Sequence, residues 1–386
     1  MSETQKHTKP NVPNLRFPGF EGEWKQHYLS EYLDFKNGLN PSAKSFGEGI
    51  KFISVMDILN NPFISYDCIR ASVVATDKEK EEFCVEYGDI LFQRSSETLE
   101  DVGHANVYLD NRPALFGGFT IRGKKKGGYN PLFFKHLLDS PTARKKVIVK
   151  GGGAQHFNIG QEGLSTVSLS FPSLPEQNKI ADIFSLIDER ITIQNKVIER
   201  YESLIKALRH HIFASINPVE EVRFTDILSY EQPTRYIVTD TEYSDDKNLT
   251  PVLTANKAFI LGYTEEKEGI FKKGPCIILD DFTLDCKMVD FPFKVKSSAI
   301  KILTAKRSVN LRYVFEYLRY LDLNTEEHKR HYIAEIEPRT IELPGMAEID
   351  AIANLFSKLD SRKQLAERDL ELLKSEKAFF LNTLFI

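Results

Sequence analysis

The sequence predicts an α+β (mixed α/β) fold built as a pseudo-twofold tandem repeat, with two globular domains and two long coiled-coil helices. The phrase IADIFSLIDER at 180–190 returns as IANLFSKLDSR at 352–362, with six of eleven positions identical at a spacing of 172 residues. A Pro-containing segment precedes each copy, and a long stretch without Gly or Pro follows it, as expected for a long helix. The predicted elements are a polar N-terminal tail (1–16), a first domain (17–172), a central helix (173–216), a second domain (217–342) and a C-terminal helix (343–386).

The tail and the overall composition restrict the class of protein. The first residues are polar and Pro-rich, without the apolar run of a secretory signal. A chain of 386 residues with 41% hydrophobic and 11% aromatic residues suits two or more folded domains. It contains no run of 18 apolar residues, so we expect no membrane span and a cytoplasmic protein. The cysteines form no CxxC pair and are expected to be buried free thiols: Cys68, Cys84, Cys276 and Cys286.

Both predicted domains combine strand-like and helix-like runs. In the first domain, a helix-like run at 130–140 accompanies strand-like runs at 50–58, 89–95 and 164–171. In the second, a helix-like run at 311–321 accompanies strand-like runs at 251–254, 276–282 and 291–303. Related phrases precede the two sets, LSEYL at 29–33 and FTDIL at 224–228. This mixture favours α+β or mixed α/β domains over repeated βαβ units.

Along the central helix, a set of mostly apolar residues recurs at alternating spacings of four and three positions, which is the heptad pattern of a coiled coil. The seam runs through Ile187, Ile191, Gln194, Ile198, Tyr201, Ile205, Leu208 and Ile212. The matching positions of the C-terminal helix are Leu359, Lys363, Ala366, Leu370, Leu373, Lys377, Phe380 and Leu384. Two lysines interrupt the second seam, which predicts a different or narrower buried face. We expect the helices to pack on each other, and burial of each helix in a separate domain is the alternative.

Positive charge is concentrated late in the first domain. Residues 116–170 hold nine Lys or Arg against two acidic residues, with aromatic residues interleaved. Such a surplus fits a surface that follows DNA phosphates, and a solvated basic face is the alternative. The segment KGGGAQHFN at 150–158 favours DNA, because glycines permit close backbone approach and its polar side chains can hydrogen-bond bases or phosphates.

Catalytic motifs in the sequence are incomplete. NNPF at 60–63 is similar to the Asn-Pro-Pro-aromatic motif of amino-methyltransferases, but it lacks the second Pro and no Gly-rich cofactor loop accompanies it. The acidic residues and lysine of 280–287 could imitate a metal-dependent nuclease, although their spacing is too short for the usual hairpin. The glycines at 151–153 lack the Gly-Lys-Ser/Thr of a phosphate-binding loop. We therefore predict no catalytic residue and no metal site in this chain.

Several phrases together resemble the specificity subunit of Type I restriction–modification systems. They are LRFPGFEGEW (15–24), YGDILFQRSSETLEDVG (87–103) and FPSLPEQNKIADIFSLIDERI (171–191). The last phrase is the most specific, and the second copy departs from it because LPGMAEIDAIANLFSKLD lacks the Glu-Gln pair. The resemblance covers nearly the whole chain. It implies two DNA target-recognition domains, separated by two long antiparallel helices that act as a spacer.

The resemblance also implies partners and a division of labour. Each recognition domain would read one half of a bipartite, asymmetric target in double-stranded DNA. Two methyltransferase subunits would dock on the helices and domains and carry S-adenosylmethionine, and restriction subunits would add ATP- and Mg-dependent cleavage. This chain would bind no cofactor itself. The alternatives are a self-contained nuclease or methyltransferase with duplicated DNA-binding domains, and a helical scaffold without DNA contact.

Candidate DNA contacts are polar and basic residues near strand ends and in the Gly-rich segment. For the first half-site they are Arg94, Ser95, Ser96, Glu97, Thr98, Lys124, Lys125, Lys126, Gln155, His156 and Asn158. For residues 94–98, an ordinary turn is the alternative. For the second half-site they are Asp280, Asp281, Thr283, Lys294, Lys296, Ser297, Ser298 and Arg330. The segment HKRHY at 328–332 precedes the second long helix much as 150–158 precedes the first.

Overall fold

The computed structural model describes residues 11–254, 259–306, 309–323 and 329–386. The chain divides into two compact units: unit 1 contains the chain up to Asn195 together with Asp369–Ile386, and unit 2 contains Lys196–Arg368. Each unit therefore includes part of each long helix, which the linear division into domains did not anticipate. Residues 1–10 of the predicted tail and His328 of the HKRHY segment lie outside the described residues. No helix within the described ranges is both long and apolar enough to cross a membrane.

Short strands and helices fill the first half of the chain, and the first long helix follows them. The strands are β1 (Lys25–Tyr28), β2 (Leu33–Asn37), β3 (Phe46–Ile53), β4 (Ser72–Val73), β5 (Ile90–Gln93), β6 (Ser95–Ser96), β7 (Ala105–Val107), β8 (Leu115–Phe116), β9 (Thr120–Lys125), β10 (Phe157–Asn158) and β11 (Ser168–Phe171). The helices are α1 (Leu29–Tyr32), α2 (Val55–Leu59), α3 (Asp77–Glu82), α4 (Pro131–Asp139), α5 (Pro141–Ile148), α6 (Gln161–Ser165) and the long α7 (Leu174–Ala214).

The second half repeats this organisation with fewer helices among its described residues. The strands are β12 (Glu220–Arg223), β13 (Leu228–Glu231), β14 (Thr250–Leu253), β15 (Ile260–Thr264), β16 (Cys276–Asp280), β17 (Cys286–Val289), β18 (Lys294–Val295), β19 (Ile300–Ala305) and β20 (Thr340–Leu343). The helices are α8 (Phe224–Ile227), α9 (Leu311–Tyr320) and the long α10 (Met346–Thr383), and a single π-helical turn covers Tyr332–Ile336.

Among the described residues, the two units share three sheets connected in the same order, and unit 1 has the additional pair β6-β10. The four-stranded antiparallel sheet has the order β2-β9-β5-β7 in unit 1 and β13-β19-β16-β17 in unit 2. The three-stranded sheets, β4-β3-β8 and β15-β14-β18, each have a central strand with one antiparallel and one parallel neighbour. A further antiparallel pair joins β1 to β11 and β12 to β20. The duplication thus extends from the helices to the globular parts.

The repeated phrase supplies equivalent core positions to the two units. Ile180, Ala181 and Phe184 are buried in the core of unit 1. Their counterparts in the core of unit 2 are Ile352, Ala353 and Phe356. Phe184 and Phe356 are both 0% exposed, and full burial of such a side chain stabilises a fold by about 1.5–3 kcal/mol. The recurrence of Ile, Ala and Phe at these three positions therefore follows from equal packing requirements.

Equivalent hydrogen bonds attach the globular parts to the long helices. Asn130 caps α4, and Asn310 caps α9, with a side-chain oxygen that accepts a backbone N–H of the first turn. The amide groups of the same residues donate to the long helices, from Asn130 to Asn178 and from Asn310 to Asp350, each at 2.9 Å. Asn178 and Asp350 occupy the same position in the two copies of the repeat.

The two long helices pack on each other within each unit. Every predicted seam residue is buried or half-buried, including Leu384, which directly follows α10. In unit 1, Lys377 pairs with Asp188 of α7 at 2.6 Å, and in unit 2 Lys363 pairs with Glu202 of α7 at 2.8 Å. The two seam lysines therefore remain between the helices because a carboxylate on the facing helix neutralises each of them.

Three strand-like runs are shorter or divided in the structure. The run at 50–58 is a strand only to Ile53, because Ser54 and Asp57 form the capping box that starts α2. The run at 164–171 becomes a strand only at Ser168, after α6 ends. The run at 291–303 divides into β18 and β19. Local polar hydrogen bonds thus override apolar patterns that continue in the sequence.

The cysteines are free thiols, but only two are buried. Cys276 and Cys286 lie in β16 and β17, and burial raises the pKa of each thiol to about 12. Cys68 and Cys84 are half-buried, so the prediction of full burial was wrong for these two.

Candidate nucleic-acid interface

In unit 1 the two candidate clusters at 94–98 and 155–158 lie side by side. Ser95 and Ser96 form β6, which pairs antiparallel with β10 so that Asn158 stands opposite Ser95. The Ser95 hydroxyl also contacts the side-chain oxygen of Asn158, across a sequence separation of 63 residues. Pairing of two short strands, which the sequence did not indicate, therefore unites the candidates into one surface.

A tight turn presents the Gly-rich segment. Gly152 and Asn158 exchange two backbone hydrogen bonds, at 3.0 and 2.9 Å. Gly153 has φ +146°, and a Cβ at this position would overlap the carbonyl oxygen of His156. The side chains of Gln155 and His156 are exposed between these anchors. The loop thus offers amide and imidazole groups to base edges or phosphates.

Arg94 joins the paired clusters to the sheet. Its carbonyl accepts the N–H of Ile159 at 2.9 Å, and its own N–H donates to the carbonyl of Phe119 at 2.9 Å. The half-buried guanidinium donates to the carbonyl of Gly118 at 3.3 Å. Arg94 therefore holds three segments together.

Glu97 and Thr98 follow β6 in an exposed turn. The N–H of Thr98 donates to the Ser96 hydroxyl at 3.2 Å, and its own hydroxyl donates to the Asp101 carboxylate at 2.6 Å. An ordinary turn, one of the two interpretations of this segment, describes residues 97–98. Their exposure leaves them at the edge of the paired clusters.

Lys124, Lys125 and Lys126 are separated from the paired clusters by the length of β9. The strand starts at Thr120, opposite Gln93, and each residue advances ~3.3 Å along it. Lys124 and Lys126 pair with acidic residues outside the basic segment, at 3.4 and 2.9 Å. Burial lowers the pKa of Lys125, whose ammonium lies 4.8 Å from the centre of a tyrosine ring. The three lysines do not extend the surface formed by β6 and β10.

The basic surplus of residues 116–170 is not one surface. Arg122 and Lys135 are 7% and 6% exposed, and Lys135 pairs with Asp139 at 2.5 Å. Arg144 donates to two backbone carbonyls at 2.7 and 2.8 Å. Several of the nine charges thus stabilise the domain, which a count of charges along the sequence does not reveal.

In unit 2, Asp281 holds the sheet to the segment after Arg330. Its carbonyl accepts the N–H of His331 at 2.9 Å, and its N–H donates to the carbonyl of Ala299 at 2.9 Å. The carboxylate is 1% exposed and lies 3.3 Å from the ammonium of Lys301. A buried, paired carboxylate of this kind has a structural role, which corrects the expectation of a DNA contact.

Arg330 is exposed beside the turn that precedes β19. Its guanidinium lies 5.9 Å from the ring centre of Phe282 and donates to the Ser298 hydroxyl at 3.4 Å. Ser297 and Lys296 are exposed in the same turn. The structure therefore groups these candidates with Phe282, which the sequence analysis missed. An aromatic residue directly after a strand-end acidic pair was the available signal.

The other candidates of unit 2 have different surroundings. Asp280 is 6% exposed and accepts the N–H groups of Phe282 and Thr283 at 2.8 and 3.2 Å, which shapes the turn between β16 and β17. Thr283 is exposed in that turn. Lys294 is 3% exposed and pairs with Glu266 at 2.5 Å. Burial thus gives Asp280 and Lys294 structural roles, which corrects the expectation that they face DNA.

The two units share one backbone frame with different side chains. In unit 1, Arg94 directly follows β5; its carbonyl accepts the N–H of Ile159, and its N–H donates to Phe119, just before β9. In unit 2, Asp281 directly follows β16; its carbonyl accepts the N–H of His331, and its N–H donates to Ala299, just before β19. The equivalent pairs of residues are Arg94 and Asp281, Asn158 and Arg330, and Phe119 and Ala299.

Comparison with known proteins agrees with this arrangement. Residues 21–202 match the sequence family described as the Type I restriction modification DNA specificity domain. Over 132 residues the chain is 45% identical to the Type I restriction enzyme EcoR124I/EcoR124II specificity subunit of Escherichia coli, a match that spans 33% of this chain and 32% of that protein. It is 22% identical, across 94% of its length and 92% of the relative, to a Methanocaldococcus jannaschii protein provisionally named the type I restriction enzyme MjaX specificity subunit. The chain is thus similar to the Type I DNA specificity domain over residues 21–202, and to a Type I specificity subunit over most of its length.

Solved structures from this family have the same fold. The S subunit of the Type-I restriction-modification system from M. genitalium superposes with a TM-score of 0.63 at 13% identity, covering 97% of this chain and 99% of that one. Identity at this level supports the fold alone. The predicted mixed α+β architecture with repeated long helices is thereby confirmed.

Proposed function

We propose that this chain is the DNA-recognition subunit of a Type I restriction–modification complex, and that each unit reads one half of a bipartite target in double-stranded DNA. The shared backbone frame with dissimilar exposed side chains carries the proposal. Asn158 presents an amide, which suits adenine, and Arg330 presents a guanidinium, which suits guanine. Two equal frames with unequal readers recognise two different half-sites, so the target is asymmetric.

The chain acts within a larger complex in the cytoplasm. Two methyltransferase subunits bind it and methylate adenine with S-adenosylmethionine, and restriction subunits supply ATP- and Mg-dependent cleavage. The long helices set the distance between half-sites and provide the docking surface. Exposed apolar residues support this docking role: in unit 1, Leu186, Ile193, Leu372 and Phe379 are each more than half exposed on α7 and α10.

Mapping of methylated adenines in a host that expresses this chain with its methyltransferase tests the proposal. The wild-type pair defines the two half-sites. Asn158→Ala should relax the sequence at positions of one half-site only, and Arg330→Ala should relax only the other. If both variants methylate the wild-type target with unchanged sequence preference, the two clusters do not read bases.

A purified lone chain tests the division of labour. We expect neither nicking of DNA with Mg²⁺ nor methyl transfer from S-adenosylmethionine until the methyltransferase is added. The assembled complex should bind its target with an affinity that falls steeply between about 50 and 200 mM salt. Either activity from the lone chain would instead identify a self-contained enzyme, and weak binding that does not depend on salt would identify a scaffold.

A further inference from the structure

The most exposed Phe, Tyr or Trp side chain among the described residues is Phe119, which is 70% exposed. It lies in the turn between β8 and β9, directly after two glycines. Its neighbours in the sequence are internal, since Phe116 and Thr120 are both 0% exposed. Exposure of an apolar ring to water is unfavourable in free energy, and burial of the ring against a ligand would remove that penalty.

The turn that carries Phe119 is fixed from three directions. The N–H and hydroxyl of Thr120 donate to the carbonyl of Gly117, at 2.9 and 2.7 Å. The N–H of Arg94 donates to the carbonyl of Phe119 at 2.9 Å. The side chain of Asn40 packs directly against Gly118, where an added Cβ would force it to shift. The backbone that carries the ring is therefore held in place, which lowers the entropy cost of ordering this turn on binding.

The ring stands beside hydrogen-bonding groups of the candidate interface. The residue that anchors its turn, Arg94, continues directly into Ser95 and Ser96, which pair with β10. Hydroxyl and amide groups are suited to base edges in the major groove, where the thymine C5-methyl is the apolar feature. Unit 2 has Ala299 at the equivalent position, so this aromatic contact distinguishes the two units.

We propose that the ring of Phe119 packs against the C5-methyl group of a thymine in the half-site read by unit 1. The proposal rests on the function proposed above and adds to it one specificity-determining contact. Ser95, Ser96 and Asn158 select hydrogen-bonding groups, whereas Phe119 selects a methyl group that hydrogen bonds cannot detect. A deoxyuridine at that position keeps every hydrogen bond and lacks the methyl.

The contact is tested by measuring the equilibrium affinity of the chain, in complex with its methyltransferase, for DNA duplexes of the mapped target. In each duplex a single thymine is replaced by deoxyuridine. Wild type should lose about fourfold in affinity at one thymine of one half-site, the effect of one buried methyl group. Phe119→Ala should bind the all-thymine duplex about tenfold more weakly and show no further loss at that thymine. Phe119→Leu should fall between the two.

Tyr87→Ala is the matched control, because Tyr87 is 52% exposed and precedes β5, at the opposite end of that strand from Arg94. It should show the wild-type fourfold loss with deoxyuridine. The contact is refuted if no thymine matters to wild type, or if its loss persists in Phe119→Ala. Loss of affinity in Phe119→Ala without any thymine effect also refutes it, and points to insertion between bases. If wild type does not prefer its mapped target over a scrambled duplex, the proposed function itself fails.

Discussion

The ion pair between Lys377 of α10 and Asp188 of α7 gives a quantitative test of how the long helices are held in unit 1. The ammonium lies 2.6 Å from the carboxylate oxygen, and the side chains are 21% and 18% exposed. The other Asp188 oxygen lies 3.5 Å from the Nε2 atom of His136, which is 0% exposed. At an effective dielectric constant of about 20 the attraction is roughly 6 kcal/mol, most of which desolvation of the two charges offsets.

Lys377→Met keeps the apolar part of the side chain and removes the charge, which leaves Asp188 partly buried beside an uncharged imidazole. We expect a loss of about 2 kcal/mol in the free energy of unfolding, below the ~3–5 kcal/mol for a fully buried pair because both side chains retain some solvent. Asp188→Asn should cost about 1 kcal/mol, since the long lysine can reach water. The double variant should cost about 1 kcal/mol, so the coupling energy is about 2 kcal/mol.

The free energies of unfolding of wild type, the two single variants and the double variant are measured in urea. Hydrogen exchange at the backbone amides of residues 174–195 and 369–386 reports unfolding of unit 1. Lys374→Met is the matched control, since Lys374 pairs with Glu371 of its own helix at 2.8 Å with both side chains more than half exposed. It should change stability by less than about 0.5 kcal/mol. Strictly additive effects of Lys377→Met and Asp188→Asn would refute the reasoning that these charges hold the helices together.

Three further predictions follow from the buried and strained positions. Burial, with the charges of Lys135 and Lys377, holds the pKa of His136 well below its usual value of about 6.5. His136 therefore binds a proton in the unfolded chain at a pH where it stays neutral in the folded protein. The free energy of unfolding should fall as pH decreases below about 6.5, by up to ~1.4 kcal/mol per pH unit. His136→Phe should remove that part of the slope in urea unfolding between pH 7.5 and 5.

Asp281→Ala leaves a buried lysine unpaired and should destabilise unit 2 by about 3–5 kcal/mol, measured by thermal unfolding. Gly153→Ala should weaken DNA binding through the first half-site at least tenfold, measured by anisotropy, because its φ of +146° and the His156 carbonyl oxygen oppose a side chain.

Each of these has a contrasting variant or outcome. For His136, an equal pH slope in wild type and His136→Phe would place the titrating group elsewhere. Asp281→Asn combined with Lys301→Met keeps an oxygen for the N–H groups of His331 and Tyr332, so it should restore much of the stability lost in Asp281→Ala, and failure to do so would argue against the pair. Gly152→Ala should bind DNA normally, since a Cβ there has no atom within 4 Å. Equal effects at both glycines would show that loop geometry is not what matters.

Features that depend on local pattern were predictable from the sequence. All predicted seam positions from Ile187 to Ile212 are buried or half-buried, because burial along a helix follows its own periodicity. Residues at the ends of strands were harder. Ser95 and Asn158 were both chosen as candidates, yet nothing in the sequence indicates that they pair, since strand pairing across 63 residues depends on the whole fold.

Charge was the least reliable guide. Lys294 and Asp281 are candidate DNA contacts in the sequence, but Glu266 and Lys301 neutralise them inside unit 2. Partners of this kind lie on other strands, so a window of sequence shows the charge and omits its counterion. Phe119, by contrast, is in the sequence one of several aromatic residues interleaved with the basic segment, and only the structure distinguishes it by its 70% exposure.

The bonds that hold Ile159 to Arg94 and His331 to Asp281 join backbone to backbone. A peptide group is the same in every residue except proline, so these bonds persist whatever side chains the loop carries. Exposed substitutions at Gln155 or Asn158 should therefore alter the sequence that is read while changing folding stability by less than about 0.5 kcal/mol. If the chain reads DNA as proposed, point mutations at these positions change the target sequence without requiring a new fold.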